Sequence, residues 1–320
     1  MPEQKGLALG IDLGGTTVKV GVVSHDGAIV GRAQRPTEVE KGPEGVVTNM
    51  ALAVSDALHA AGVGQDDLEG VGIGSPGICD APRGVVVRSG NLHWRNVPVG
   101  LMLSQRLGIP VKLENDANCA ALGEQWCGAA RGANHVVLFT LGTGVGGGLI
   151  LDGRIYGGSN GWAGELGHMP VVDEGLPCTC GAVGCLETVA SATAMGTLGR
   201  QAVEAGRAPV MERLAREHGG RVDARVVILA AREGEEAARA ILRSAGEYLG
   251  LASAALISAL NPELIVVGGG ASQGGEFLLE PMRQVIARRA MPGPSETAKV
   301  VAATLGNDAG LIGAASLVWR

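Results

Sequence analysis

Leu7-Ala8-Leu9-Gly10-Ile11-Asp12-Leu13-Gly14-Gly15-Thr16-Thr17-Val18-Lys19-Val20-Gly21-Val22-Val23 starts as an apolar run, breaks at a glycine-rich turn and resumes as a second apolar run. Short Val-, Ile- and Leu-rich runs bounded by glycine predict strands over 7–11 and 18–23, and Asp26-Gly27 is a hairpin signal leading to a third. A similar series returns at Val136. Residues 136–140 read as a strand, Leu141-Gly142-Thr143-Gly144 as the turn, 148–151 as a strand, and Asp152-Gly153 as a second hairpin. Any two glycine-rich hairpins share composition, but here the glycines and the later Asp-Gly recur in the same order. A duplication of this kind predicts an α/β fold of two lobes with like topology, facing each other across a cleft.

The rest of the chain fills in the units. Val46, Val47, Met50, Val54 and Leu58 recur at helical intervals within 43–61. A strand begins at 68–72 and ends at Gly74-Ser75-Pro76-Gly77, a tight turn where backbone can approach a ligand. Ser89-Gly90-Asn91-Leu92 is another polar turn. A short helix over 99–107 and a strand over 111–113 follow. Glu114-Asn115-Asp116 closes that strand, and 117–130 continues as a helix. In open α/β sheets ligands sit beyond the carboxyl ends of strands, which is where these three polar residues fall. Farther on, Ala238, Ile241, Leu242, Ala245, Leu249, Ala252 and Leu256 keep one apolar helix face until Asn261-Pro262 ends it. A buried strand over 264–267 runs into Gly268-Gly269-Gly270. A helix over 276–289, a strand over 300–304 and a helix over 307–318 complete the chain, the last crossing back to the first lobe. The expected division is therefore 1–117 with 306–320 as the smaller lobe and 118–305 as the larger.

Composition narrows the function. Of 320 residues 46% are hydrophobic and 18% charged, which excludes wholesale disorder. The formal net charge of −6 advertises no basic surface, so neither nucleic acid nor an anionic membrane is an expected partner. Bound phosphate must then be held locally by backbone N–H groups, one or two cations and a metal. Met1-Pro2-Glu3-Gln4-Lys5 has no leader-like pattern, and no apolar segment reaches membrane-spanning length. A cytoplasmic location is expected. Cys79, Cys119 and Cys127 read as buried free thiols.

Each turn can carry chemistry. In Asp12-Leu13-Gly14-Gly15-Thr16-Thr17 with Lys19, glycines expose N–H donors, threonines add hydroxyls, and a strand-end Asp can hold Mg²⁺ through water. It is no Walker loop, since G-x-x-x-x-G-K-S/T is absent and the turn leads to a strand. Paired with Gly142-Thr143-Gly144, it becomes a clamp on a triphosphate. Gly268-Gly269-Gly270 lets an adenine ring lie against bare backbone. Asp116, at a strand end and a helix start, suits a general base that accepts a hydroxyl proton; the competing role is an N-cap.

A third kind of signal lies in Gly164-Glu165-Leu166-Gly167-His168 and in Cys178-Thr179-Cys180-Gly181-Ala182-Val183-Gly184-Cys185-Leu186-Glu187. Three thiolates and an imidazole suit a tetrahedral Zn²⁺, with His168, Cys178, Cys180 and Cys185 as ligands. The alternative is a disulfide plus a spare thiol, which intracellular chains rarely keep. Zinc would fix His168 through one ring nitrogen and leave the other free to meet a hydroxyl. Glu165 and Glu187 beside it would help present hydrogen-bonding groups to a polyol; otherwise Glu165 is a helix-start acid and Glu187 a solvated surface charge. Trp94 fits the core better than a pocket wall.

The pattern G-E-x-G-H followed by C-x-C-G-x-x-G-C-x-E resembles the signature of the ROK family of bacterial sugar kinases and related repressors, and its glucokinase branch is the most similar. Together with the three glycine turns, which resemble the phosphate-1, phosphate-2 and adenosine motifs of the actin/hexokinase/Hsp70 superfamily, the resemblance spans almost the whole chain. It implies the two-lobed actin-like ATPase fold with ribonuclease-H-like lobes. It also implies ATP-dependent phosphorylation of a hexose at its 6-hydroxyl, glucose first, with ATP, Mg²⁺ and a structural Zn²⁺. Asp116 would be the base. Gly77 (by its backbone), Asn91, Asn115, Asp116, Glu165, His168 and Glu187 would meet the sugar, and a homodimer or homotetramer is expected. Fructose, mannose, N-acetylglucosamine or N-acetylmannosamine are alternative sugars, and polyphosphate an alternative donor. A sugar-sensing repressor is the alternative of another class. Such proteins add a helix-turn-helix before the first strand, where about six residues stand here.

Overall fold

The computed structural model describes residues 6–320; Met1-Pro2-Glu3-Gln4-Lys5, on which the expectation of no leader rests, lie outside the described residues. Strands β1 (Leu7–Leu13), β2 (Thr17–Ser24) and β3 (Ile29–Pro36) form an antiparallel meander, followed by helix α1 (Gly42–Ala61). β4 (Leu68–Ser75) pairs parallel with β1. β5 (Ile78–Asp80), β6 (Val85–Ser89) and β7 (Trp94–Val97) make a small separate sheet. Then come α2 (Val99–Leu107), β8 (Val111–Asn115) and α3 (Asp116–Cys127). The first sheet runs β3-β2-β1-β4-β8. The helical spacing read in α1 is borne out, for Val46, Val47, Met50 and Val54 are all buried.

The second series is β9 (Val136–Leu141), β10 (Val145–Leu151) and β11 (Arg154–Ile155), then α4 (Glu187–Ala190), α5 (Ala192–Glu204), α6 (Pro209–Glu217), α7 (Ala224–Arg232) and the long α8 (Glu236–Leu260). β12 (Leu264–Gly268), α9 (Glu276–Arg289), α10 (Pro294–Thr297), β13 (Lys299–Ala302) and α11 (Ala309–Ser316) end the chain. The second sheet runs β11-β10-β9-β12-β13, the same order as the first, position for position. α8 stops where Asn261 turns left-handed (φ 47) ahead of Pro262, as the sequence predicts. β10 begins three residues earlier than expected, because Val145-Gly146-Gly147 joins the strand and does not extend the turn.

The described residues fall into two units. The first holds the chain up to Gly132 with Gly148–Gly164 and Asn307–Arg320; the second holds Ala133–Gly147 and Glu165–Gly306. The expected break at 117/118 would cut through α3, whereas that helix stays whole in the first unit.

The reason lies in a row of glycines. Gly21, Gly10 and Gly72 stand side by side across β2, β1 and β4. A Cβ on Gly10 would lie 2.0 Å from the Leu311 carbonyl oxygen, and one on Gly72 would lie 1.8 Å from that of Ala314. α11 therefore rests its backbone directly on the sheet. Its other side meets α3, where a Cβ on Gly313 would stand 1.6 Å from the Cys119 carbonyl oxygen and one on Gly123 2.3 Å from that of Ala309. α1 and α2 contribute to the apolar core of this unit, in which Met50, Ile73 and Leu103 are fully buried. Such side chains stabilise by about 1.5–3 kcal/mol each on removal from water.

Candidate functional site

In the first unit the strand ends converge. Asp12, one residue before the end of β1, pairs with Lys19 of β2 at 3.1 Å. The turn between them is closed by its own backbone, since the Gly14 N–H donates to the Thr17 carbonyl (3.0 Å). That N–H is thus not free for a phosphate, contrary to the expectation that each glycine exposes one. The buried Thr37, which the sequence did not single out, donates its hydroxyl to the Gly14 carbonyl at 2.6 Å and locks the turn. A Cβ on Gly15 would lie 3.2 Å from the Asn91 carbonyl oxygen, so the turn and the Asn91 loop touch. α11 brings Gly310 close to both Asp12 and Asp116: its Cβ would stand 3.7 Å from Asp12 Oδ1 and 3.9 Å from the Asp116 backbone carbonyl oxygen.

Asn115, not Asp116, is the N-cap of α3. Its Oδ1 accepts from the N–H groups of Ala117 (2.9 Å) and Asn118 (3.1 Å), while its Nδ2 donates to the Gly77 carbonyl (3.1 Å). Asp116 is the first helical residue and accepts from the Ala117 N–H at 2.9 Å. Gly77 has φ 96, and a Cβ there would meet the Arg88 carbonyl oxygen at 2.3 Å, so only glycine fits. Trp94 is a core residue, 3% exposed. Cys79 and Cys119 are buried free thiols and Cys127 is a half-buried one. Burial first, then the charges of Glu114 and Asp116, push the Cys119 thiol well up.

In the second unit the cysteine hairpin is built on short-range bonds. The Cys178 N–H donates to the Ala182 carbonyl (2.8 Å), the Gly181 N–H to the Cys178 carbonyl (3.0 Å), and Gly181 takes φ 98. Pro170 bridges to Cys185, and the Leu186 N–H donates to the Met169 carbonyl (2.9 Å), drawing Cys185 back toward His168. One ligand atom from each of His168, Cys178, Cys180 and Cys185 lies within 4.8 Å of the others. Cys178 Sγ stands 3.5 Å from His168 Nδ1, and Cys180 Sγ stands 3.7 Å from Cys185 Sγ. A tetrahedral zinc with ordinary bond lengths needs S···N near ~3.5 Å and S···S near ~3.7 Å. The cysteines are free, so the disulfide alternative does not hold. Burial, and then the neighbouring Cys178 and Cys180, push the Cys185 thiol up to about 12. Through Nδ1 toward the cluster, His168 turns Nε2 to Glu165, 4.0 Å from its Oε2.

Glu187 is not the solvated surface charge that its sequence position allows. It is half-buried, and its Oε2 accepts from the Val145 N–H at 3.1 Å. A Cβ on Gly144 would collide with that oxygen at 2.0 Å, and one on Gly167 would lie 1.9 Å from the Val145 carbonyl oxygen. Both signature segments thus clasp Val145 from opposite sides of its peptide groups.

Gly142 and Thr143 line a cleft of about 650 Å³ with Gly270, Ala271, Ile228 and Leu229. The turn is held by the Ala192 N–H on the Gly142 carbonyl (2.9 Å) and by Thr193 Oγ1 on the Thr143 carbonyl (2.7 Å). Of the other predicted glycines, Gly144 faces Glu187, Gly269 packs on the Leu141 backbone and Gly268 on Ala303. Gly270 alone of that triplet lines the cleft. Arg200, Arg221, Arg225 and Arg232 line it too, four residues that no sequence motif marks. Among the described residues Arg221 and Arg225 have no ion-pair or hydrogen-bond partner, while the one acid there, Asp223, caps α7 through the Val226 N–H (3.0 Å). Four guanidinium groups around a glycine turn give this cleft a local positive charge that the acidic chain as a whole lacks.

Comparison with known proteins agrees with the resemblance read from the signature. The profile of the ROK family matches residues 8–320. A glucokinase of Halalkalibacterium halodurans is 42% identical over 97% of this chain and 94% of its own. A ROK family glucokinase from Streptomyces griseus, solved in complex with glucose and AMPPNP, superposes with a TM-score of 0.86 at 38% identity, covering 98% of this chain and 99% of that one. A putative xylose repressor of Caldicellulosiruptor is 32% identical over 98% of this chain and 78% of its own length. The fold is the two-lobed actin-like ATPase fold, and the chain belongs to the ROK family.

Proposed function

We propose that the chain transfers the γ-phosphoryl group of ATP to the 6-hydroxyl of a hexose, glucose first, with Asp116 as the general base. The observation that carries this is the corner at Asn115-Asp116: a carboxylate fixed at a strand-to-helix junction whose cap also holds the Gly77 carbonyl. Full-length similarity to glucokinases supports the reaction class. Asp116 takes the proton of the 6-hydroxyl as that oxygen attacks the γ-phosphorus, and ADP leaves. Phosphoryl transfer asks mainly for alignment and charge neutralisation, so one carboxylate and well-placed cations suffice.

The nucleotide would occupy the arginine-lined cleft, with Gly142, Thr143 and Gly270 against it, and Asp12, Gly15, Thr16, Thr17 and Lys19 would serve as further phosphate-binding residues. Mg²⁺ carried with ATP, near Asp12, would neutralise the phosphate charge. Asn91, Asn115, Glu165, His168 and Glu187 would exchange hydrogen bonds with the sugar rim. A buried carboxylate or amide left unpaired by a missing hydroxyl is costly, and this is the source of selectivity. Zn²⁺ would be held by Nδ1 of His168 and the sulfurs of Cys178, Cys180 and Cys185, and would supply rigidity without redox chemistry. A homodimer or homotetramer working in the cytoplasm completes the proposal. No helix among the described residues is long and apolar enough to cross a membrane.

A panel of glucose, mannose, fructose, N-acetylglucosamine and N-acetylmannosamine with ATP and Mg²⁺, read by ADP release, tests the reading and ranks the sugars. Glucose turnover is expected, and Asp116→Ala should lower kcat by several orders of magnitude while sugar and ATP still bind. A variant keeping a tenth of the rate refutes the base. Sugar binding without ADP release from the unaltered protein would favour a sugar-sensing regulator.

A further inference from the structure

We infer that Glu114 and Asn118 are positioning residues for Asp116, a clamp that sets the angle at which its carboxylate leaves the strand-to-helix corner. The inference rests on Asp116 as base and adds the groups that aim it.

One oxygen, Glu114 Oε1, accepts from both the Asn115 N–H at 2.8 Å and Asn118 Nδ2 at 3.0 Å. The first bond captures an N–H at the end of β8; the second ties the strand to the first turn of α3. Between the two residues so anchored, Asn115 and Asn118, sit only Asp116 and Ala117. The cap bonds of Asn115 run the other way, from its Oδ1 to the N–H groups of Ala117 and Asn118. Strand end and helix start are thus braced in both directions around Asp116, which itself makes neither brace. The Ala117 N–H is shared between the Asn115 and Asp116 carbonyl-type oxygens, both at 2.9 Å, so any slackening of Asn115 changes the hold on the Asp116 carboxylate.

Asn118 carries a mark of function over stability. It is 2% exposed, and its buried Oδ1 has no hydrogen-bond partner among the described residues. An amide with one end unsatisfied costs stability where an apolar residue would not. Its retained use is the bond from Nδ2 to Glu114. A general base gains rate from being held near the productive geometry, and small misplacements are costly to turnover but not to ground-state binding.

The test is a double-mutant cycle on glucose phosphorylation. Asn118→Ala is expected to lower kcat by about ten- to a hundred-fold, with the KM values for sugar and ATP within about threefold and the melting temperature nearly unchanged. Glu114→Ala should behave alike. Glu114→Gln, whose amide oxygen still accepts both bonds, should stay within about threefold of wild type. In an Asp116→Ala background, Asn118→Ala should lower the residual rate no further than about twofold, since residues acting through one group are not additive. If Asn118→Ala multiplies the loss in that background as it does in wild type, or if kcat falls only in step with the melting temperature, the clamp is refuted while the base stands. If Asp116→Ala is itself nearly fully active, base and clamp fall together. Should Asn118→Ala not fold, the Glu114→Ala and Glu114→Gln pair carries the same comparison.

Discussion

The two sheets share a strand order and differ in what stands on it. Aligned at their strand ends, where Asp12 faces Gly74 in the first and Thr140 faces Gly268 in the second, the glycine pair Gly10 and Gly72 corresponds to Leu138 and Val266. The first sheet has given up side chains so that a helix can lie on its backbone. The second keeps Leu138 and Val266 fully buried as ordinary core residues. The turns diverge in the same way. Each is closed by its first glycine, Gly14 onto Thr17 and Gly142 onto Gly144. The first then carries an Asp–Lys pair, and the second carries glycine against the Glu187 carboxylate. One strand order occurs twice; the Asp12–Lys19 pair and Asp116 go with the first sheet, and the cationic cleft and the cluster of His168 with three cysteines go with the second.

The sharpest way to break this comparison is to give the glycine row a side chain. Gly72→Val drives a Cβ into the Ala314 carbonyl and should cost the first unit several kcal/mol, seen as a melting temperature lower by more than about ten degrees or as insoluble protein. The matching change in the second sheet, Val266→Ala, only leaves a small cavity and should cost about 2 kcal/mol. Equal melting temperatures for the two variants would show that α11 is not seated as described.

Next in size is the knot. Elemental analysis should find about one zinc per chain, and Cys180→Ser or a strong chelator should remove it and raise the sugar KM by about tenfold or more, with the ATP KM little changed. Metal-free protein that phosphorylates glucose normally would leave the knot without a role in binding the sugar.

Smallest is the effect of Arg221→Ala, which removes an unpaired guanidinium from the cleft. It should raise the ATP KM by about tenfold, close to 1.4 kcal/mol, while kcat and the sugar KM hold. An unchanged ATP KM would mean that the cleft is not where the nucleotide sits.

Much of the scaffold was legible. The boundaries of α2 and α9, the end of α8 at Asn261-Pro262 and the repeated glycine hairpin follow from local rules of periodicity and turn chemistry, and each is found. The four metal-type ligands were legible as well, because thiol and imidazole are rare enough for spacing to speak. The cationic cleft was not. Arg200 lies on α5, Arg221 precedes α7, and Arg225 and Arg232 lie on α7, with no spacing that marks them as a group. Glu187 was misjudged in its surface alternative because its partner, the Val145 N–H, lies 42 residues away.

The sequence by itself determined α1, α2, α8, α9 and the repeated strand–turn–strand series, since these depend on neighbours within a few residues. Only the tertiary structure decided which glycine serves a turn, which makes room for a helix and which makes room for a carboxylate. It also decided that Asn115 caps α3 while Asp116 stands beside it. A missing side chain and a capping oxygen acquire meaning from what approaches them, and that is set by packing between segments far apart in the chain.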